Sequence, residues 1–270
     1  GIGELVGALF ALPFILFSMA GGYLADRHSK RSVAIAVKVF EIGVMLVALV
    51  GLTASHLPLL LVCVFLMGTH SAFFGPSKYG LLPELLPEKR LSWGNGLLEF
   101  GTFTSIILGT VAASFMAEHL RGRQTWSGVI LLGLALAGLV VSQGITRVPA
   151  ADPQKRFRPN FLAVIRGELR AMRGDRPLSL ALVGNTYFNF LGALLLLNVV
   201  FYGQEVLHVT ETRIGFLNAA LALGIGAGSV AAGYLSGGKI EYGLVPLGAL
   251  GLTVTCSALA IPGLSLNESY

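Results

Sequence analysis

Hydrophobic positions along this chain fall in long unbroken runs, with neither strict alternation nor one-sided helical stripes. Leu5–Ala25, Gln124–Thr146, Pro177–Gln204 and Ile214–Gly238 hold no Asp, Glu, Lys or Arg over 21, 23, 28 and 25 residues. Each exceeds the roughly 20 residues an α-helix needs to cross a bilayer core. Ser32–Ala54, Leu57–Ser77 and Trp93–Ala117 are apolar with one or two polar intruders, and Tyr242–Leu266 makes an eighth run. The pattern predicts eight transmembrane helices. A β-barrel is excluded, because the runs are too long and lack a period of two.

Composition leads to the same class. Only 12% of the 270 residues are charged, about half of the roughly 25% usual in soluble domains. Hydrophobic residues make up 54% and mean hydropathy is +0.75, too little polar material to clothe a water-soluble surface. Cys63 and Cys256 lie far apart within apolar runs and read as packing residues, not as a disulfide or metal pair. No metal-ligand cluster, nucleophile elbow or P-loop occurs, so neither cofactor nor catalytic centre is expected. Gly224-Ile225-Gly226-Ala227-Gly228 follows no predicted strand, and is expected to be a close helix-packing face.

Charge placement gives an orientation. With eight spans, one set of loops and helix ends carries 16 of the 19 Lys+Arg, including Arg27, Lys30, Arg31, the helix-end Lys38 and Lys78. The positive-inside rule puts that side in the cytoplasm and both chain ends outside. The longest polar stretch, Arg147–Arg176, carries eight basic and three acidic residues. Within it Asn160 is positioned to cap a helix whose Phe161, Leu162, Ile165, Leu169 and Met172 gather on one side and Arg166, Arg170 and Arg173 on the other. This predicts a basic helix against the cytoplasmic membrane surface. The chain divides accordingly into a helix bundle (1–146), a basic linker (147–177) and a partial second bundle (178–270). Nucleic acid is not an expected partner.

An internal repeat supports the division. Gly22-Tyr23-Leu24-Ala25-Asp26 ends the first span and Gly233-Tyr234-Leu235-Ser236-Gly237 ends the seventh, each followed by a lysine-bearing turn. Repeated half-length units mark secondary carriers. Gly22-Tyr23-Leu24-Ala25-Asp26-Arg27-His28-Ser29-Lys30-Arg31 resembles the motif between the second and third helices of the major facilitator superfamily, with Ser29 where the pattern has glycine. Phe73-Phe74-Gly75-Pro76-Ser77-Lys78-Tyr79-Gly80-Leu81-Leu82-Pro83-Glu84, with Asn95–Phe103, Ile107–Thr110 and Gly243–Ala249, is narrower. These blocks resemble the lysophospholipid transporter (LplT) family and the similar transporter domains fused to acyltransferase or acyl-carrier-protein ligase domains.

The resemblance implies an all-α polytopic membrane protein with the superfamily's two-bundle fold. The chain opens without Met and stops four residues after the last run, so it is expected to be a fragment, the second to ninth of twelve helices. The implied activity is secondary transport of lysophospholipids such as lysophosphatidylethanolamine across the bacterial inner membrane. Two alternatives stand beside it: a drug or metabolite antiporter with Glu99 as coupling acid, and the transporter part of a fused acyltransferase, whose catalysis would lie outside this chain. Lysophospholipid, membrane lipids and a fused acyltransferase domain are the implied partners.

Candidate site residues follow from polar groups inside spans, which are costly there and functional by default. Glu99, Asn95, His70, Asn185 and Asn189 fall on helices that face the central cavity in the superfamily fold, with Lys78 at the cytoplasmic end. Gly22, Asp26, Arg27, Lys30 and Arg31 form the gate motif, in which Asp26 is expected to contact the other half of the complete protein. Lys38 and Glu41, three apart, predict an ion pair at the cytoplasmic end of their span.

Overall fold

A computed structural model describes residues 2–157, 161–209, 211–239, 241 and 243–259. The described chain is helical throughout: α1 (Ile2–Arg27), α2 (Lys30–Thr53), α3 (Leu57–Leu85), α4 (Leu91–His119), α5 (Gln124–Gln143), α6 (Phe161–Gly174), α7 (Arg176–Phe201), α8 (Glu211–Leu235) and α9 (Leu244–Leu259). Seven of these are long and apolar enough to cross a membrane, and α9 is a shorter apolar helix. The eighth expected run continues past Leu259, outside the described residues.

The sequence sets the helix boundaries. His56 caps α3 by accepting from the Leu59 amide at 3.2 Å, and Asp175 caps α7 by accepting from the Leu178 amide at 3.0 Å. Each cap is followed by a proline in the first turn, where no backbone donor is needed. α3 continues through Pro76 and Pro83 to Leu85. Its 29 residues span about 44 Å at 1.5 Å per residue, so its end projects beyond a hydrocarbon core roughly 30 Å thick. Lys78 therefore lies within a helix, not in a loop.

Two compact units emerge from the packing. The first comprises Gly1–Pro87 and Thr110–Phe161, the second Glu88–Gly109 and Leu162–Tyr270. In the first, α1 and α2 both pack on α3, and α2 also packs on α5. Missing side chains allow the close approaches: a Cβ on Gly21 would stand 2.5 Å from the Ala72 carbonyl oxygen, and one on Gly68 would stand 2.4 Å from that of Phe10. Such small-residue crossings replace the hydrophobic drive that a lipid solvent cannot supply. Val44, Met45, Ala48, Cys63 and Ala135 form a buried cluster, so Cys63 is the packing residue expected.

In the second unit α4 approaches α8 through glycine as well. A Cβ on Gly96 would meet the Ser229 carbonyl oxygen at 2.4 Å, and one on Gly233 would meet the Trp93 Cα at 3.1 Å. The expected Gly224–Gly228 packing face is only partly such a face. Gly226 lies against the Phe100 ring, whereas Gly224 and Gly228 face open space. Large apolar side chains stand outward on many spans, among them Ile15, Val141 and Phe216, as a lipid-facing surface requires.

α6 forms as expected between the spans. Its Arg166, Arg170 and Arg173 are exposed, and Ile165 and Leu169 are partly exposed as well, which suits a helix lying on a bilayer surface. Asn160, the expected cap, lies outside the described residues.

Candidate functional site

Two charged networks organise the first unit. One closes the α1–α2 turn, where the gate motif lies. The Asp26 carboxylate accepts from Lys155 Nζ at 2.6 Å, and its backbone carbonyl accepts from the Asp152 amide at 2.8 Å. Arg27 donates to the Tyr23 hydroxyl and, at 3.4 Å, to the Lys155 carbonyl. Tyr23 meets Phe157 edge-on, ring centroids 5.2 Å apart. Among the described residues, the partner of Asp26 is thus in the segment after α5.

Lys30 and Arg31 reach other helix ends. Lys30, only 7% exposed, is paired with Glu84 of α3. Its stem lies against Gly80, where a Cβ would stand 2.6 Å from Lys30 Cε. Gly80 thus leaves room for the stem of a lysine on another helix. Arg31 Nε donates to the Ile145 carbonyl at 2.7 Å, and a terminal nitrogen donates to that of Gln143 at 2.9 Å. These are carbonyls left without partners at the end of α5, where a cation is also favoured by the helix dipole. Gly21, just before the motif, carries the tight contact with α3, while the motif's own Gly22 faces open space.

The second network lies inside the helices. Lys38 Nζ is 2.6 Å from Glu41 Oε2, the i,i+3 pair expected. Its position differs from the expected helix end: Lys38 is eight residues past the start of α2, about 12 Å along the axis. The pair sits in the span interior, not at its end. The reason is that α2 starts at Lys30, whose own charge is neutralised by Glu84. His70 of α3 completes the cluster, with Nε2 3.1 Å from the same Glu41 oxygen. Phe74 backs it, stacked on His70 at 5.7 Å and lying 5.3 Å from Lys38 Nζ.

His70 also faces a groove. Because α1 and α2 both lean on α3 but barely touch each other, they leave a volume of about 460 Å³, lined by residues including Leu24, His28, Ser32, Phe40, His70 and Phe73. Its walls are almost wholly apolar, and its few polar groups are His28 and Ser32 toward the α1–α2 turn and Thr69 and His70 on α3.

The remaining expected residues are placed as follows. Lys78 lies on α3 with its ammonium 4.9 Å from the Tyr79 ring centroid. Asn95 and Glu99 lie one turn apart on α4, the first exposed and the second half-buried. Asn189 donates to the backbone carbonyl of Asn185 at 2.9 Å and to its side-chain oxygen at 3.3 Å. Both asparagines are exposed and bond along α7. His70 and Lys78 belong to the first unit, the other four to the second. Sequence reasoning missed Lys155 and the tie from Glu41 to His70; only the lone histidine within an apolar run pointed to the latter.

An all-helical chain with seven membrane-length spans, intramembrane polar groups and a charged turn between its first two helices is an integral membrane carrier in class. The sequence model of the Major Facilitator Superfamily matches residues 2–269, and the chain belongs to that superfamily. It is 30% identical over 239 residues to the lysophospholipid transporter LplT of Citrobacter koseri, covering 84% of this chain and 55% of that protein. It is equally 30% identical to LplT of Escherichia coli O7:K1, over 235 residues with the same coverage. The chain thus spans about half the length of the curated relatives it matches.

Proposed function

We propose that the chain forms part of a lysophospholipid carrier of the bacterial inner membrane that works by alternating access. The observation that carries this reading is the similarity to lysophospholipid transporters over 84% of the chain, on top of superfamily membership. The basic side, with the linker at 147–177 between bundles 1–146 and 178–270, faces the cytoplasm, and both chain ends face outward.

An amphiphile needs a polar recess for its headgroup and an apolar wall for its tail. Glu99 supplies a carboxylate eight residues past Leu91, about 12 Å into α4, suited to an ethanolamine ammonium. Asn95 one turn earlier offers amide donors to phosphate oxygens. Asn185 and Asn189 on α7 add polar contacts, and Lys78 offers a cation for the phosphate as it leaves toward the cytoplasm.

The test is uptake by the full-length protein reconstituted in vesicles with labelled lysophosphatidylethanolamine. Glu99→Gln should slow this lipid more than lysophosphatidylglycerol, which lacks the ammonium. Equal slowing of both removes Glu99 from headgroup selection. No uptake of either lipid by the parent protein overturns the lysophospholipid reading.

A further inference from the structure

His70 is a buried titratable group that the proposed cargo site does not use as it stands. The residue is 6% exposed, and neither ring nitrogen has a hydrogen bond of good geometry among the described residues. Nε2 nevertheless lies 3.1 Å from Glu41 Oε2, the distance of a charge-assisted bond waiting for a proton. That oxygen is already engaged by Lys38 Nζ at 2.6 Å. One carboxylate oxygen thus faces one fixed cation and one group that becomes a cation only on protonation.

Charge balance makes the arrangement responsive. With His70 neutral, Lys38 and Glu41 cancel, and the cluster carries no net charge within a low-dielectric span. A proton taken from water onto His70 turns its Nε2–H into a donor to Glu41 and sets two cations competing for one carboxylate. One N–H bond forms on the ring and one O–H bond breaks in the hydronium ion that delivers the proton, which leaves as water. The groups that face His70 are few. α2 presents Lys38 and Glu41, and the α1–α2 turn presents His28 at the far end of the groove. α5 presents Gly138 to the Lys38 stem, 3.6 Å from where a Cβ would be, and brings no charge there. The groove that His70 lines runs to His28 and Ser32 beside the α1–α2 turn, which gives water a way in.

We propose that Lys38, Glu41 and His70 form an intramembrane proton-binding site, filled through the groove between α1 and α2. The inference stands apart from the identity of the cargo. Its test is the protonation state of His70 in the full-length protein held in lipid nanodiscs with 15N-labelled histidine. The His70 signal is assigned by its loss in His70→Gln. On acidification it should show the doubly protonated imidazole. Glu41→Gln, which removes the carboxylate facing Nε2, should lower the protonated fraction at a given acid pH, and Lys38→Gln, by removing the competing cation, should raise it. If Glu41→Gln does not insert, Lys38→Gln supplies the same test with the opposite sign. A His70 signal that stays neutral down to pH 5, or one that titrates identically in the parent and both variants, overturns the site.

Discussion

The gate motif holds two ion pairs that should contribute very differently. Lys30 is 8% and Glu84 23% exposed at the side chain, whereas Lys155 and Asp26 are 42% and 39% exposed. Removing one partner from a buried pair strands the other charge, at a cost of about 3–5 kcal/mol when burial is complete. Glu84 keeps some access, so Lys30→Met, which preserves the stem that fills the space beside Gly80, should destabilise by about 2–4 kcal/mol. Asp26→Asn breaks an exposed pair and should cost only about 0.2–1 kcal/mol. Since 1.4 kcal/mol is about a tenfold change in an equilibrium, the first change alters the folded fraction by well over tenfold and the second by no more than about fivefold.

Unfolding of the full-length protein in mixed detergent micelles, with a double-mutant cycle for each pair, measures both. The Lys30→Met, Glu84→Gln double variant should recover part of the single-variant loss, because it leaves no charge stranded. Raising salt should weaken the Asp26–Lys155 coupling and leave the Lys30–Glu84 coupling nearly unchanged. Equal destabilisation by Lys30→Met and Asp26→Asn would refute the reasoning from burial. In the uptake assay Asp26→Asn should cripple transport while the protein still inserts and folds; near-normal transport would reduce the motif to a folding element.

Two further outcomes follow from packing and charge. Gly96→Val should disrupt the α4–α8 crossing by about 2 kcal/mol or more, since its Cβ would fall 2.4 Å from a backbone oxygen that cannot swing aside, whereas Gly101→Val, where no atom lies within 4 Å, should be nearly silent in the same unfolding assay. Single cysteines at Ser29 and Gln154 in intact cells should be protected from an impermeant thiol reagent while one at Ser55 reacts, and the opposite labelling would invert the proposed orientation.

The spans were legible because a bilayer imposes a length: an uncharged run of 21 residues at Leu5–Ala25 has few alternatives to a crossing helix. The Lys38–Glu41 pair was legible too, because spacing by three on a helix fixes contact without any knowledge of neighbours. Its depth was not, since charges inside spans usually mark their ends. The bond from Lys155 to Asp26 joins residues 129 positions apart, and no local pattern encodes it. Nor did spacing assign His70 to Glu41, because that contact depends on the register of α3 against α2 and α1. Gly68, two residues before His70, sets part of that register by admitting the Phe10 carbonyl. A glycine run could suggest a packing face, but only the neighbouring helix decides that Gly226 packs and that Gly224 and Gly228 do not.

The two networks share one rigid element. α2 carries Lys30 and Arg31 at its start and Lys38 and Glu41 two to three turns later, a separation of about 12–16 Å along one axis. At its start the helix is tied to α3 through Glu84 and to α5 through the Gln143 and Ile145 carbonyls. Thr53 near its other end is 3.3 Å from Thr125 of α5. A helix held at both ends cannot easily absorb a new charge by sliding, so a proton on His70, as proposed above, would have to be accommodated by something other than a shift of α2. α1 scarcely touches α2, the groove separates the two helices, and the end of α1 is fastened to the linker by the exposed Asp26–Lys155 pair. The weak external pair and the tight internal cluster therefore act on the same boundary. On the proposal above, a proton on His70 would bear on the α1–α2 gap, beside the turn that the exposed Asp26–Lys155 pair fastens.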